Sequence, residues 1–440
     1  MALDVWWVNM TDLLELSAKF IDGGELVPDL GPVNRITLEL SEISDDIAMV
    51  ESFSHIVVFR TDAGLVFFDA TLEAMARTAL EQIRTWSEEP VDSIVYTHGH
   101  IDHVGGGRVI VAEAERRGDR RPHVIGHEAV RTRFERYRLT SGYNNHINRR
   151  QFGRTQLEMV GEEKLFGPSQ FIEPSLTYRD HLEVDIGGTS FVMHHSRGET
   201  DDHTWTWVPS HRAVCMGDLL IWSFPNAGNP QKVQRFPQDW ARALREIAAL
   251  NPELLLPAHG LPIGGSERVQ RVLGETAEAL EHLVDSTLAM MNSGAPLDEI
   301  LHTVRVPAHL LERPWLRPVY DEPEFVVRNI WRFYGGWYDG NPARLKPPRD
   351  IELATEVVSL AGGVNVLVAR AVELADSASL NDLRVDPDAL RSACQLIEWA
   401  FQFAPEDLSV VEAAREIYGL RRDSERSLMA KGIFGGAAER

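Results

Sequence analysis

The run Thr97-His98-Gly99-His100-Ile101-Asp102-His103 puts four potential metal ligands into six residues, directly after the apolar stretch Ile94-Val95-Tyr96. Imidazole nitrogens and a carboxylate oxygen suit zinc or a similar first-row divalent ion. The two-residue spacing lets His98 and His100 converge on one ion from a tight loop. Four donors so close together cannot comfortably surround a single tetrahedral ion. The run therefore predicts a dinuclear site, with His98 and His100 on a first metal and Asp102 and His103 on a second. Gly105-Gly106-Gly107 follows at once. That triplet permits a sharp turn and lets the next helix begin near the metals without an intruding side chain.

The segments around this run alternate between strand and helix patterns. His55 to Arg60 and Leu65 to Asp69, separated by Thr61-Asp62-Ala63-Gly64, predict a hairpin of two buried strands. Helical periodicity covers Glu73 to Trp86, Val109 to Arg117 and Glu128 to Tyr137. Short strands are expected at His123 to Gly126, Leu182 to Asp185, Ser190 to His194, Thr204 to Val208, Ala213 to Met216 and Leu254 to Leu256. The pattern from Ile47 to His259 predicts a layered α/β domain. After Gly264 it becomes helical: Glu267 to Asn292, Thr355 to Ala375, Asp386 to Phe403 and Ser409 to Tyr418. The expected division is a catalytic domain over residues 1–264, with an N-terminal extension, and a mostly helical domain over 265–440. Trp315 to Pro348, rich in proline, glycine and aromatic residues, is expected to be a long ordered connection.

The bulk properties exclude some functions. A chain of 440 residues is long enough for two domains with separate cores. A formal charge of -22 argues against a nucleic-acid partner or broad binding to an anionic membrane, and an anionic substrate would need a local basic pocket. Cys215 and Cys394 are the two cysteines, far apart, so neither a disulfide framework nor a cysteine-rich zinc site is expected. Met1 to Leu16 lacks a basic start followed by an apolar run, and no stretch reaches the length of a membrane span. A cytoplasmic location is the expectation.

Three later segments offer further donors at the ends of predicted strands. Glu199 lies in the loop after Ser190 to His194, Asp218 follows Met216-Gly217, and Pro257-Ala258-His259 ends a strand in a histidine. Strand ends feeding one rim of a sheet are where a site built from distant segments assembles. The order and character of these segments resemble the metallo-β-lactamase superfamily, over about Ile47 to Gly260. The resemblance implies an αββα sandwich with two metals between its sheets. It implies His98, His100 and Glu199 on the first ion, Asp102, His103 and His259 on the second, and Asp218 bridging them. Most members of the superfamily place histidine where Glu199 stands, and glutamate there resembles the alkylsulfatase branch. Pro318-Val319-Tyr320-Asp321-Glu322-Pro323-Glu324, followed by Arg328 to Pro342 with Trp331, Tyr334, Trp337 and Tyr338, is similar to the alkylsulfatase dimerisation domain and implies a homodimer. The resemblance reaches the C-terminal helices, and the sterol-carrier-like domain that family members often carry is not expected within these 440 residues. Asp218-Leu219-Leu220-Ile221-Trp222 departs from the branch, which has asparagine and histidines beside the carboxylate.

The chemistry implied is hydrolysis of alkyl sulfate esters by water activated between two divalent ions, expected to be Zn2+. Asp102, Asp218 and His203 are the candidate catalytic groups; His203 is read either as a proton donor or as a hydrogen-bonded support of a ligand. Asn144, Asn145, Arg149 and Arg150 are candidates for holding the anionic ester, with Lys232 and Arg235 as second choices. Each has a plainer alternative: a solvated loop or domain contact for the first four, surface charge for the last two. Asp69 is expected to orient the metal loop without binding metal. Of His194 and His195, one is expected to point inward and the other outward. The large aromatics between Trp331 and Tyr338 are read as packing or dimer contacts. The alternatives to a sulfatase are a hydrolase of another ester, thioester, lactone or phosphate on the same framework, and an inactive scaffold protein.

Overall fold

The computed structural model describes residues 12–23, 35–158, 171–380, 384–385 and 387–440. The start of the N-terminal segment, residues 1–11, lies outside the described residues, as does Asp386 at the head of one expected helix. Helix α1 (Leu13–Gly23) precedes a mixed sheet of β1 (Leu40–Ser44), β2 (Ile47–Val50), β3 (Ile56–Thr61), β4 (Gly64–Phe68), β5 (Val91–Val95), β6 (His123–His127) and β7 (Leu176–Tyr178), hydrogen-bonded in that order. The β3–β4 pair is the expected antiparallel hairpin, with Val58 opposite Phe67. Gly64 closes its turn at φ +121°, and a side chain there would strike the carbonyl of Pro90. From β4 onward neighbouring strands run parallel. Parallel neighbours need crossovers, which α2 (Glu73–Trp86), α3 (Ile101–Val104), α4 (Gly107–Arg117), α5 (Ala129–Leu139) and α6 (Ser141–Glu158) occupy.

The second sheet runs β13-β12-β11-β10-β9-β8 through β8 (His181–Ile186), β9 (Thr189–His195), β10 (Thr204–Val208), β11 (Ala213–Gly217), β12 (Leu254–Pro257) and β13 (Ile263–Gly264). The two sheets meet through buried aromatics. Phe59 of β3 and Phe68 of β4 lie with their ring centres 5.6 and 6.0 Å from that of Phe191 of β9. Each such ring contributes about 1.5–3 kcal/mol by burial, so this cluster is a principal tie between the sheets. Helix α7 (Pro237–Ala249) packs along α8 (Ser266–Asn292), which also touches β12 and β13. The result is the αββα sandwich expected from the sequence.

The chain forms two compact units, and their limits differ from the division expected at Gly264. The first unit comprises Met1–Asn144, Val160–Ala295 and Glu299–Tyr334; the second comprises Asn145–Met159, Pro296–Asp298 and Gly335–Arg440. The long helix α8 stays with the sandwich because its apolar face, including Val269, Leu273, Leu280 and Leu283, is buried there. After α9 (Leu297–Thr303) and α10 (Ala308–Leu311) comes α11 (Pro323–Gly335), inside the stretch expected to be a connection. Its buried face of Val326, Val327, Asn329 and Ile330 follows the helical period, which the surrounding prolines and glycines mask in the sequence.

In the second unit, α12 (Asp350–Ala361) and α13 (Val364–Ser377) replace the single helix read over Thr355 to Ala375. Gly362 and Gly363, at φ +85° and +134°, break it. With α14 (Leu390–Phe403), α15 (Leu408–Ser424) and α16 (Leu428–Ala438) they enclose a core rich in alanine, including Ala371, Ala393, Ala400 and Ala414. Small side chains let the helix axes approach closely. Among the described residues no single helix is long and apolar enough to cross a membrane.

Candidate metal centre

Four chain segments deliver side chains to one rim of the sandwich. The His98–His103 run follows β5, Glu199 follows β9, Asp218 follows β11 and His259 follows β12. His98 Nε2 and His100 Nδ1 approach to 2.7 Å. Glu199 Oε2 lies 3.6 Å from the former and 3.4 Å from the latter, and Asp218 Oδ2 lies 3.8 Å from His98 Nε2. Beside them, Asp102 Oδ2 is 3.5 Å from His103 Nε2 and 3.4 Å from His259 Nε2. Asp218 turns its other oxygen, Oδ1, to this second cluster, 3.4 Å from His103 Nε2 and 3.7 Å from His259 Nε2. Two groups capable of holding a metal ion result: His98, His100, Glu199 and Asp218; and Asp102, His103 and His259.

The donor atoms suit a pair of cations. Glu199 Oε2, Asp218 Oδ1 and His103 Nε2 are buried with no hydrogen-bond partner among the described residues. Each such atom costs about 1–3 kcal/mol if left unpaired, and all three face the two groups. Charge states agree with that role for His98, His100, Glu199 and Asp102; at the other ligands burial raises Asp218, and the facing carboxylates outweigh burial to raise His103 and His259, so metal binding would displace protons there. Burial, reinforced by His103 and His100, holds His98 well below the usual imidazole range, and burial also lowers His100, so both keep lone pairs free. Burial opposes ionisation of Glu199 and Asp102. Arg235, with the His100 contact, outweighs it for Glu199, and His103 and His259 outweigh it for Asp102, so both stay ionised at low pH. Neutral imidazoles and ionised carboxylates are the forms that bind divalent metals.

Surrounding side chains fix these ligands. Asp69, at the end of β4 with φ +63°, accepts hydrogen bonds from Thr97 N at 2.8 Å, Thr97 Oγ1 at 2.8 Å and His103 Nδ1 at 2.7 Å. It therefore orients the loop and leaves His103 Nε2 facing the site. Asp202, buried, accepts from Gly99 N and Arg133 Nε, both at 2.9 Å. His203 is buried and accepts from Asp218 N at 3.2 Å. Burial pushes its imidazole down to about 3. Of the two roles read for His203, this geometry matches support of Asp218; near neutrality the ring is uncharged, with its Nε2 lone pair taken by Asp218 N, so it is not an imidazolium acid.

The glycine triplet makes the expected turn, but without left-handed backbone. None of Gly105, Gly106 and Gly107 has positive φ. Gly105 and Gly106 make the turn between α3 and α4, and side chains on the three glycines would strike Ile101 O, Ala70 O and the Tyr96 hydroxyl respectively, so close packing as well as the turn requires them. Gly217, at φ +54°, does meet the turn requirement: a Cβ there would lie 2.7 Å from His203 Nε2, directly before Asp218.

The residues expected to hold an anion divide. Asn144, in the first turn of α6, donates to Thr140 O and Oγ1, at 3.1 and 2.8 Å, just before that helix. Asn145, Arg149 and Arg150 belong to the second compact unit. Arg235 is not surface charge. It is 2% exposed, and donates to the Glu199 carbonyl. Lys232 is partly buried, within range of the Glu199 and Asp102 charges, and burial with Arg235 nearby pushes its ammonium down to about 7. His194 and His195 stack on Trp205 and His127 at 4.1 and 3.7 Å between ring centres, away from the ligand groups. Sequence reasoning missed three contributors: Asn226, which donates to Glu199 Oε1; Arg133; and Tyr320, whose hydroxyl is pushed up by burial and by Glu199 and Asp102. Their spacing from the ligands carries no local pattern.

Residues 49–259 match the metallo-beta-lactamase superfamily, and residues 296–440 match the alkyl sulfatase dimerisation family. The chain belongs to the metallo-β-lactamase superfamily. Within it, the combination with the dimerisation domain marks the alkylsulfatase-like branch. A linear primary-alkylsulfatase from Pseudomonas sp. is 30% identical over 68% of this chain and 59% of its own length. An alkyl/aryl-sulfatase from Saccharomyces cerevisiae is 26% identical over 76% of this chain and 54% of its own. The chain thus spans little more than half the length of these relatives. Among solved structures, the stereoselective inverting sec-alkylsulfatase Pisa1 from Pseudomonas sp. superposes with a TM-score of 0.78 at 21% identity, covering 91% of this chain and 65% of that one, which establishes the shared fold.

Proposed function

We propose that this protein is a dinuclear zinc hydrolase that cleaves sulfate esters of alkyl alcohols and works as a homodimer. The observation carrying this reading is the pair of donor groups sharing Asp218, in a chain whose similarity to alkylsulfatases runs through both matched regions. Nitrogen and carboxylate donors at these spacings favour zinc over the harder magnesium or calcium. When bound, two such ions supply an activated water and positive charge for a substrate oxygen.

The chain's own residues do the rest. Asp218 offers one oxygen to each group and so sets their separation. Asp69 and His203 hold His103 and Asp218 in place. Lys232, within range of the Glu199 and Asp102 charges and with its ammonium lowered to about 7 by burial, is a donor suited to an anionic ester group, which would favour its charged form. Next to Asp218, Leu219, Leu220 and Trp222 are buried apolar side chains, so the proton for a leaving group does not come from that segment. This feature favours a leaving group that departs as a stable anion, as sulfate does. It is also the one observation that favours a second reading, hydrolysis of a different ester with an equally good leaving group.

The test is sulfate release, by ion chromatography, from short, long and branched alkyl sulfates, using zinc-replete protein and a His100→Ala control. Release by the unaltered chain alone supports the sulfatase. Two bound metals with no sulfate released would remove it and leave the hydrolase of another ester.

A further inference from the structure

Glu199 divides its carboxylate oxygens between two tasks. Oε1 accepts from Asn226 Nδ2 and lies 3.4 Å from Arg235 Nη2, while Arg235 Nη1 donates to the Glu199 carbonyl. Oε2 has no hydrogen-bond partner among the described residues and faces His98 and His100. Asn226 and Arg235 are 4% and 2% exposed, so neither contact is diluted by solvent.

Both residues sit on the Asn226–Arg235 loop, which is pinned from a later part of the same compact unit. Asp321 accepts from Gly228 N at 2.6 Å and Asn229 N at 3.1 Å. Asn329, on α11, donates to Ala227 O and Arg235 O, each at 2.9 Å. A side chain on Gly228 would strike the backbone of Phe325 and Val326, so the loop and the start of α11 are in close contact. Asp321 and Asn329 lie in the stretch matched by the dimerisation family, yet they brace a loop that touches a candidate metal ligand.

We propose that Arg235 and Asn226, braced by Asp321 and Asn329, are positioning residues that make Glu199 a one-oxygen ligand and cancel its charge. An unrestrained carboxylate can rotate or present both oxygens; the Asn226 hydrogen bond to Oε1, with the Arg235 guanidinium 3.4 Å from the same oxygen, leaves Oε2 alone to the ion. The first donor group contains two carboxylates, and a buried guanidinium beside one of them offsets a full unit of charge. The Glu199–Arg235 pair then carries no more net charge than a neutral imidazole would. It follows that histidine at position 199 restores a good site only if Arg235 loses its charge as well. This inference rests on the two-metal reading.

The experiment is zinc binding by the full chain in competition with a chromophoric chelator, with the visible spectrum of the cobalt-substituted protein as a second readout. Unaltered protein should hold two ions; fewer would remove the two-metal reading itself. Arg235→Met and Asn226→Asp should each weaken one ion roughly 10–100-fold, leave the other unchanged and alter the cobalt spectrum. Glu199→His should weaken the same ion, and Glu199→His with Arg235→Met should recover at least about tenfold of that loss. With two ions held by the unaltered chain, wild-type affinity for both in Arg235→Met, or a double variant no better than Glu199→His, overturns the proposal. Should Arg235→Met fail to fold, Asn226→Asp and the comparison of the Glu199→His variants decide it on the same terms.

Discussion

Asp69→Asn changes one atom and tests how the second donor group is kept in a metal-binding state. Asp69 accepts three hydrogen bonds, one of them from His103 Nδ1 at 2.7 Å, so Nδ1 keeps its proton and Nε2, facing Asp218 Oδ1 at 3.4 Å, is the atom left for a metal. With asparagine, Oδ1 can still accept from Thr97 N, but the amide NH2 meets His103 Nδ1. That nitrogen must then accept, and the proton moves to Nε2, the atom needed as ligand. Losing the orienting carboxylate behind a metal-bound histidine costs about 10–100-fold in affinity, equivalent to about 1.4–2.7 kcal/mol. The metal-free fold should suffer less, because Nε2–H can donate to Asp218. Thermal or chemical unfolding of the metal-free and zinc-saturated forms should therefore show the metal-induced stabilisation shrinking by about that amount. If Asp69→Asn kept the wild-type zinc affinity for both ions, the tautomer reasoning would be refuted.

The remaining expectations are structural and electrostatic. Phe191→Ala should destabilise the sandwich by about 3–5 kcal/mol in chemical denaturation, since Phe191 is fully buried between Phe59 and Phe68; a change below about 1 kcal/mol would contradict the core assignment. Gly217→Ala should lower stability by about 1–3 kcal/mol and weaken metal binding, because the new Cβ sits 2.7 Å from His203 Nε2 at positive φ. Asp202 is held down at about 2 by Arg133, against the opposing effect of burial, from an ordinary 3.8. A depressed carboxyl contributes stability above the unfolded value and loses it as pH falls through the folded one. About 2 kcal/mol should disappear between roughly pH 4 and pH 2, and Asp202→Asn should flatten acid unfolding in that window. The chain should behave as a dimer in light scattering, and a monomer at every concentration would contradict the assembly.

Much of the site was legible because metal ligation imposes local spacing. His98, His100, Asp102 and His103 are recognisable as donors from their types and intervals alone, and Glu199, Asp218 and His259 stand at strand ends readable from short apolar runs. The β3–β4 hairpin and α2 were legible for a similar reason: their periodicities of two and 3.6 are local, and burial reinforces them. What failed was context. Arg235 reads as surface charge because arginine usually is, and only the folded chain reveals a buried carboxylate beside it. The glycine triplet reads as a turn and makes one, but the close approach of Ala70 O and Tyr96 that also demands glycine is visible only in the folded chain. Helix α11 was hidden because the prolines and glycines flanking it outweighed a short apolar stripe.

The sequence by itself determined the donor chemistry, the layered α/β class and the helical C-terminal region, since residue type and short-range periodicity act over a few neighbours. Tertiary structure decided which atoms face which group, that Asp218 gives one oxygen to each, and that residues from 226 to 329 brace Glu199. Those relations join segments dozens of residues apart. They depend on strand order and on desolvation, which gives a buried charge its partner and has no counterpart in the local pattern of the chain.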